Sequence, residues 1–393
     1  MKGIVVLLGM AVLMEGQVAV HSEGPNPAEL NATALRAYYQ ARYQEAEALY
    51  REALTGWDRL GPESARDRAI TAGNLAALLR TKGRYREAET LLLDCLRQAE
   101  AASAPNAMET GRAASGLAAL YLVWEQLPKA ESMATRAQAI FDQLDSAQTE
   151  RVNNWSILAS VYIAQARYPE AQTLLHKVLE GANDTLVLRA YNELALVAQR
   201  QNQLPEAESF ALRALEMGRR TLAPGHPTLA AILNNLAQIC RFQGRYEEAE
   251  KYYREAVAIW VDSLGPQHPD TAKGYMNLAA FYHERGREPG AEDLYRRAAA
   301  IFESAYGANH PLFLVARNEL AEVLRAEGRF TESEKLGRST LASLEEELGP
   351  QDTRVVRALE NRARLFDSTQ KPKQAAALRD RVHQMSLGFR NGE

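Results

Sequence analysis

The apolar positions of the chain fall in paired short stripes. In the clearest stretch, from Leu233 to Leu264, Leu233, Leu236, Ala237, Ile239 and Cys240 recur at steps of three and four and share one helix face. Gly244 then interrupts, where a left-handed residue ends a helix at no steric cost. A second stripe through Ala249, Tyr252, Tyr253, Ala256 and Ile259 predicts a second helix. The figure returns along nearly the whole chain, marked by two columns of small residues. The first is Ala34, Ala76, Ala118, Ala159, Ala195, Ala237, Ala279, Ala321 and Ala363. The second lies 12 residues further on, at Ala46, Ala88, Ala130, Ala171, Ala207, Ala249, Ala291, Ser333 and Ala375, with steps of 42, 42, 41, 36, 42, 42, 42 and 42 residues. A period of this length marks a solenoid, in which each unit buries its apolar face only against its neighbours.

The breakers set the same register. Gly83, Gly244, Gly286 and Gly328 stand seven residues after the first-column alanine, and Asn202 takes the slot once. Pro128, Pro169, Pro205 and Pro289 stand two residues before the second column, in the first turn of a helix where a missing N–H costs nothing. Between units, Leu222-Ala-Pro-Gly-His-Pro227, Leu264-Gly-Pro-Gln-His-Pro269 and Tyr306-Gly-Ala-Asn-His-Pro311 end one helix and start the next. The 36-residue step replaces this linker with Gly181 to Thr185, where Asn183 or Asp184 can cap the next helix, and a local change of twist is expected there.

Helix, tight turn, helix, with small residues 12 apart and an aromatic after the turn glycine, resembles the tetratricopeptide repeat. The 42-residue period, Asn234 to Ala237 (NNLA), Gly244 to Glu250 (GRYEEAE) and the LGPQHP linker resemble its kinesin light chain class, in a bacterial form. The resemblance runs from Asn31 to about Arg381 and implies an all-α, right-handed superhelical solenoid of about nine repeats. Kinesin binding is not implied, because it needs regions outside the repeats. The expected organisation is a signal peptide over 1–22, a linker over 23–30, repeats one to four over 31–182, repeats five to nine with a C-terminal capping helix over 183–386, and a tail over 387–393.

Composition narrows the function. The net charge of −4, from 46 basic and 50 acidic residues, lacks the basic excess of a nucleic-acid footprint. Cys95 and Cys240 fall in repeat columns and form neither a disulfide framework nor a metal-ligand spacing. Lys2 followed by the apolar run Gly3 to Met14 has the pattern of a secretory signal, and is short for a membrane span. Export, with a mature start near Glu23, follows as an expectation, and the sequons at Asn31, Asn154 and Asn183 matter only in a glycosylating pathway. His226, His268 and His310 repeat at 42 residues, too far apart in stacked units to share one ion, and read as residues fixing the turn before proline. The pairs Arg42-Tyr43, Arg84-Tyr85, Arg167-Tyr168 and Arg245-Tyr246 recur with the turn and read as hairpin closures. Nucleophile, phosphate-loop and zinc motifs are absent. No catalytic residue, metal, cofactor or small-molecule substrate is therefore expected.

The first helix of each repeat remains. In the resembled family these helices line the concave surface, and an asparagine in the column of Asn235 and Asn277 helps clamp a peptide. The asparagines Asn192, Asn234, Asn235, Asn277 and Asn318 gather beside the first-column alanine, with Arg189, Arg200, Arg241, Lys273 and Arg325 expected to flank the same groove. Two roles stay open for the amides: binding a peptide backbone, or cross-linking neighbouring repeats. Arginine favours an acidic segment or a free carboxylate, while Glu193, Glu284, Glu319 and Glu322 point to mixed-charge recognition. The function expected is a non-enzymatic adaptor that binds an extended segment of a protein partner in this groove. The alternatives are a structural spacer or assembly factor using the convex surface or repeat ends, and a peptide-sensing regulator.

Overall fold

The structure is a computed structural model that describes residues 25–101, 107–181 and 184–391. The expected signal peptide and the sequon at Asn183 lie outside the described residues. Among the described residues, eighteen α-helices follow one another in nine pairs: α1 (Pro27–Tyr39) and α2 (Tyr43–Leu60), α3 (Ala65–Thr81) and α4 (Tyr85–Ala101), α5 (Ala107–Val123) and α6 (Leu127–Phe141), α7 (Gln148–Ala164) and α8 (Tyr168–Gly181), α9 (Asp184–Arg200) and α10 (Leu204–Thr221), α11 (Pro227–Phe242) and α12 (Tyr246–Leu264), α13 (Pro269–Glu284) and α14 (Glu288–Tyr306), α15 (Pro311–Ala326) and α16 (Phe330–Leu348), and α17 (Thr353–Ser368) and α18 (Pro372–Asn391). The all-α repeat solenoid read from the pattern is the observed fold.

Both small-residue columns are buried: Ala34, Ala118, Ala159, Ala195, Ala237 and Ala279 have no exposed surface, and neither do Ala46, Ala88, Ala130, Ala171, Ala207, Ala249 and Ala291. They set the distance at which paired helices meet. Beneath them, Tyr50, Tyr253 and Tyr295 fill one repeated slot of the second helix. The inner stripe of α12 runs through Ala249, Tyr253, Ala256 and Trp260 rather than reaching Ile259, because steps of four, three and four keep to one helix face.

All nine turns close in the same way. The N–H of the residue directly after the left-handed one reaches back five residues, as in Arg84 to Leu79 O, Arg245 to Cys240 O and Lys371 to Phe366 O, at 2.8 to 2.9 Å. The N–H before it reaches back three, as in Gly244 to Arg241 O. This pair of bonds is the Schellman arrangement, and it requires a left-handed residue. Gly83, Gly244, Gly286 and Gly328 supply it at φ 69° to 78°, and Asn202 at 61°. Ala41, Glu125, Ala166 and Gln370 hold the same slot at 56° to 59°, so the geometry persists where glycine is missing.

Between repeats, His226, His268 and His310 are helix caps. Each Nδ1 accepts the backbone N–H two residues on, from Thr228, Asp270 and Leu312, at 3.1 to 3.2 Å. Asn26 and Asp352 cap α1 and α17 in the same way. The Asn26 cap places the start of α1 at Pro27, inside the segment expected as linker, and α18 continues to Asn391 through most of the expected tail.

The chain divides into two compact units at Ala214 and Leu215, within α10. The expected division at residue 182 does not interrupt the packing. Val152, Ala171, Leu175, Val178, Leu186, Ala190, Leu194 and Val197 form one cluster, so α7, α8 and α9 share a core across the shortened linker.

Candidate peptide-binding face

First helices of successive repeats touch one another. In the first unit α1 meets α3, α3 meets α5, α5 meets α7 and α7 meets α9; in the second, α13 meets α15 and α15 meets α17. The first helices thus form the tighter layer of each unit, and its solvent side is the candidate face.

Three sets of side chains tie neighbouring repeats together. The amides form the first. Asn74 Nδ2 donates to Asn31 Oδ1 at 3.2 Å, Asn277 Nδ2 to Asn234 Oδ1 at 2.9 Å and Asn361 Nδ2 to Asn318 O at 3.4 Å. In each case the residue two before the alanine reaches the residue three before the previous alanine. Asn234 and Asn318 are buried; Asn234 serves the contact between repeats with its side-chain oxygen, whereas Asn318 serves it with its backbone carbonyl and turns its own Nδ2 to Glu319. Asn192, Asn235 and Asn277 are half-buried on the same layer.

The turn arginines form the second set. Arg84, Arg167, Arg287 and Arg329 reach the carboxylates of Glu47, Glu131, Glu250 and Glu292 in the preceding repeat at 2.7 to 2.9 Å. Arg84, Arg167 and Arg329 also hold the glutamate three residues on. These arginines therefore join repeats as well as close hairpins. Burial works against the Glu47 carboxylate, but hydrogen bonds from Lys82, Arg51 and Arg84 outweigh it and hold its pKa at about 2.

The third set runs along the face itself. Tyr38 OH meets Thr81 Oγ1 at 3.1 Å, Arg241 Nη1 meets Glu284 at 2.7 Å and Arg325 Nη1 meets Ser368 Oγ at 3.0 Å. The partners stand four and five residues after successive alanines.

Four of the five expected cations are engaged within the chain, Arg241 with Glu284 as above. Arg189 Nε donates to Glu193 at 3.0 Å, Lys273 pairs with Asp270 at 2.7 Å and Arg325 with Glu322 at 2.9 Å. Arg200 is exposed at the end of α9. Glu319 and Glu322 are buried and take Arg357 and Arg364 as further partners. In the second unit the face is neutralised by its own carboxylates, so an acidic ligand there would have to displace them. The sequon at Asn154 is fully buried, with Nδ2 donating to Ala134 O at 2.8 Å, and no glycan can be attached there in the folded chain.

One feature of the face escaped the sequence reading. Seven large apolar side chains are exposed among the described residues, and Tyr39, Val123 and Phe242 all stand five residues after a first-column alanine, at the C-terminal ends of α1, α5 and α11. Phe242 is the most exposed, at 57%, with the Arg241 guanidinium 4.7 Å from its ring centre. The other repeats place Thr81, Ala164, Arg200, Glu284, Ala326 and Ser368 in that column. An apolar residue in an otherwise small or polar column was the available signal.

The model of the tetratricopeptide repeat matches residues 67–143, 150–219, 186–260, 228–304 and 312–386. The chain belongs to the tetratricopeptide repeat family. No curated protein matches this tetratricopeptide repeat chain. Among solved structures it is similar to aspartyl phosphate phosphatase F from Bacillus subtilis, at 14% identity and a TM-score of 0.56 over 95% of this chain and 96% of that one. It is also similar to a Rap protein complexed with competence and sporulation factor, at 14% identity and a TM-score of 0.51 over 83% and 100%. A kinesin light chain protein of Podosopora anserina with TPR-like repeats is 24% identical, with a TM-score of 0.46 over 52% and 96%. At these identities the likeness is one of fold. No helix among the described residues is long and apolar enough to cross a membrane.

Proposed function

We propose that this tetratricopeptide repeat protein is a non-enzymatic adaptor that binds an extended segment of a protein partner along its first-helix layer. The exposed apolar column carries the reading. Tyr39, Val123 and Phe242 are exposed at the C-terminal ends of first helices, and Phe242, an exposed aromatic with an arginine against its ring, is the side chain best suited to anchor a partner. In the second unit Phe242 is the anchor, with Arg241 against its ring and Asn235 and Asn277 elsewhere on the first-helix layer as hydrogen-bonding groups. The asparagine contacts between repeats hold that surface rigid, which lowers the ordering cost of binding.

The test is the affinity of a partner recovered with the tagged chain for wild type and for the variants Phe242→Ala and Asn235→Ala, each checked for unchanged helicity and melting. Phe242→Ala is expected to weaken binding at least tenfold, as loss of an exposed aromatic anchor does. Full affinity in both folded variants moves the contact to the convex surface or the repeat ends and supports a structural spacer instead.

We also propose export, on the basic start and apolar run of residues 2–14. N-terminal sequencing of the native protein is expected to begin near Glu23; an intact Met1 in a soluble cytoplasmic fraction contradicts it.

A further inference from the structure

We propose that a single buried water joins α15, α16 and α17, donating to Asn318 Oδ1 and accepting from Arg362 Nε. The site lies within the second unit and needs no partner, so it stands or falls apart from the adaptor reading.

The repeat register shows how the site arises. The residue before the first-column alanine is a buried leucine in every repeat from Leu75 to Leu320, and in the ninth repeat it is Arg362. The second helix of the eighth repeat departs as well. Its second-column residue is Ser333, and four residues on, where Tyr50, Tyr253 and Tyr295 fill the core of their repeats, it carries Gly337. These departures meet in space. A Cβ added to Gly337 would lie 3.6 Å from Arg362 Cγ and 3.8 Å from Ala321 Cβ, so the arginine stem runs over the backbone that the glycine leaves bare. Between them remains a cavity with about 10 Å³ open to a water-sized sphere, the volume of a single water.

Its polar lining comes from Asn318, Glu322, Ser333, Asn361 and Arg362. Most of these groups are already engaged. Ser333 Oγ donates to Ala321 O at 2.7 Å, Asn361 Nδ2 donates to Asn318 O at 3.4 Å, and Asn361 Oδ1 accepts from Arg364. Glu322 holds Arg325 and Arg364. Two buried atoms are left without a hydrogen-bond partner among the described residues: Asn318 Oδ1, on a residue 3% exposed, and Arg362 Nε. One can only accept and the other can only donate. The amide of Asn318 is fixed in this orientation, because its Nδ2 faces the Glu319 carboxylate at 3.4 Å and the reverse would set oxygen against oxygen. A cation cannot accept from Arg362, and an anion cannot donate to Asn318 and would also meet the Glu322 carboxylate. Water does both. Its second hydrogen can go to Glu322, which makes three bonds, the usual number for a buried water.

The test is a high-resolution crystal structure of the full chain grown in sodium bromide, with the variants Arg362→Leu and Gly337→Ala treated in the same way. The expected result is a peak without anomalous signal within about 3.2 Å of both Asn318 Oδ1 and Arg362 Nε in the unsubstituted chain. A dry cavity, or a peak that reaches only one of the two atoms, overturns the site. An anomalous bromide peak there overturns the choice of water over an anion. Arg362→Leu restores the leucine of its column and removes the donor, while Gly337→Ala sets a methyl group into the cavity at ordinary contact distance, so both are expected to fold and to lose the peak. A peak that persists overturns the bridge in Arg362→Leu, and the placement beside Gly337 in Gly337→Ala. Magnetic relaxation dispersion of the water oxygen gives the reading in solution: each variant should hold one long-lived water fewer than the unsubstituted chain, and equal counts in all three overturn the proposal.

Discussion

The left-handed turn slot makes a quantitative prediction, because nine repeats place different residues in one backbone geometry. A Cβ added at Gly244 or at Gly265 would meet no atom within 4 Å, so alanine at either position reports backbone cost alone. Gly244 is at φ 78°, in the left-handed slot, where an L residue costs about 1–2 kcal/mol. Glycine's greater freedom in the unfolded chain offsets about 0.4–1 kcal/mol of that, so Gly244→Ala should destabilise by about 1 kcal/mol. Gly265 ends α12 at φ 96°, ψ 157°, a region that is essentially glycine-only at a cost of about 1–3 kcal/mol. Gly265→Ala should therefore be the worse of the two. Ala166 carries the reverse case at φ 59°, and Ala166→Gly should stabilise the α7–α8 hairpin by about 0.5–1 kcal/mol. Amide hydrogen exchange in the native state is the assay, because an array opens locally and a global midpoint mixes repeats. A destabilising Ala166→Gly, or a Gly265→Ala milder than Gly244→Ala, would refute the reasoning.

Ala237→Leu enlarges a position with no exposed surface and should cost about 1–3 kcal/mol, lowering the urea midpoint. Lys251→Ala, on the exposed side of α12, is the fair control, since Arg254 is bonded to Tyr282 and Glu250; equal midpoints would remove the alanine column from the helix seam. The histidine caps predict acid sensitivity. Burial holds His226 and His268 below their ordinary value of 6.5, so as pH falls through 6.5 the unfolded chain takes up these protons first. Their contribution is complete above about pH 6.5 and is lost below it, and His268→Asp, the arrangement already present at Asp352, should flatten the melting temperature's dependence on pH between 7 and 5.

Fold and register were legible because helix pairing depends on local features: stripes at steps of three and four, a turn residue seven after an alanine, a proline before the next helix. The histidines were readable as turn-fixing residues for the same reason. The contacts between repeats were not. Arg84 and Glu47 are 37 residues apart, and Asn277 and Asn234 43 apart, with each partner in an ordinary polar position of its own helix. Nothing within one repeat distinguishes an arginine that reaches a carboxylate on the neighbouring unit from one that stays free for a ligand. Arg189, Arg241, Lys273 and Arg325 thus read from sequence as groove cations, and in the structure each holds an internal carboxylate.

An adaptor of this kind carries its partner on the first helices. Hydrogen exchange of the chain with and without a recovered partner, read repeat by repeat, tests it most directly. Protection is expected to gather at the C-terminal ends of the first helices, around Phe242 and Arg241 in the second unit, with the second helices unchanged. Protection confined to the outward sides of α12, α14 and α16, with the ends of α11, α13 and α15 unaffected, would contradict it.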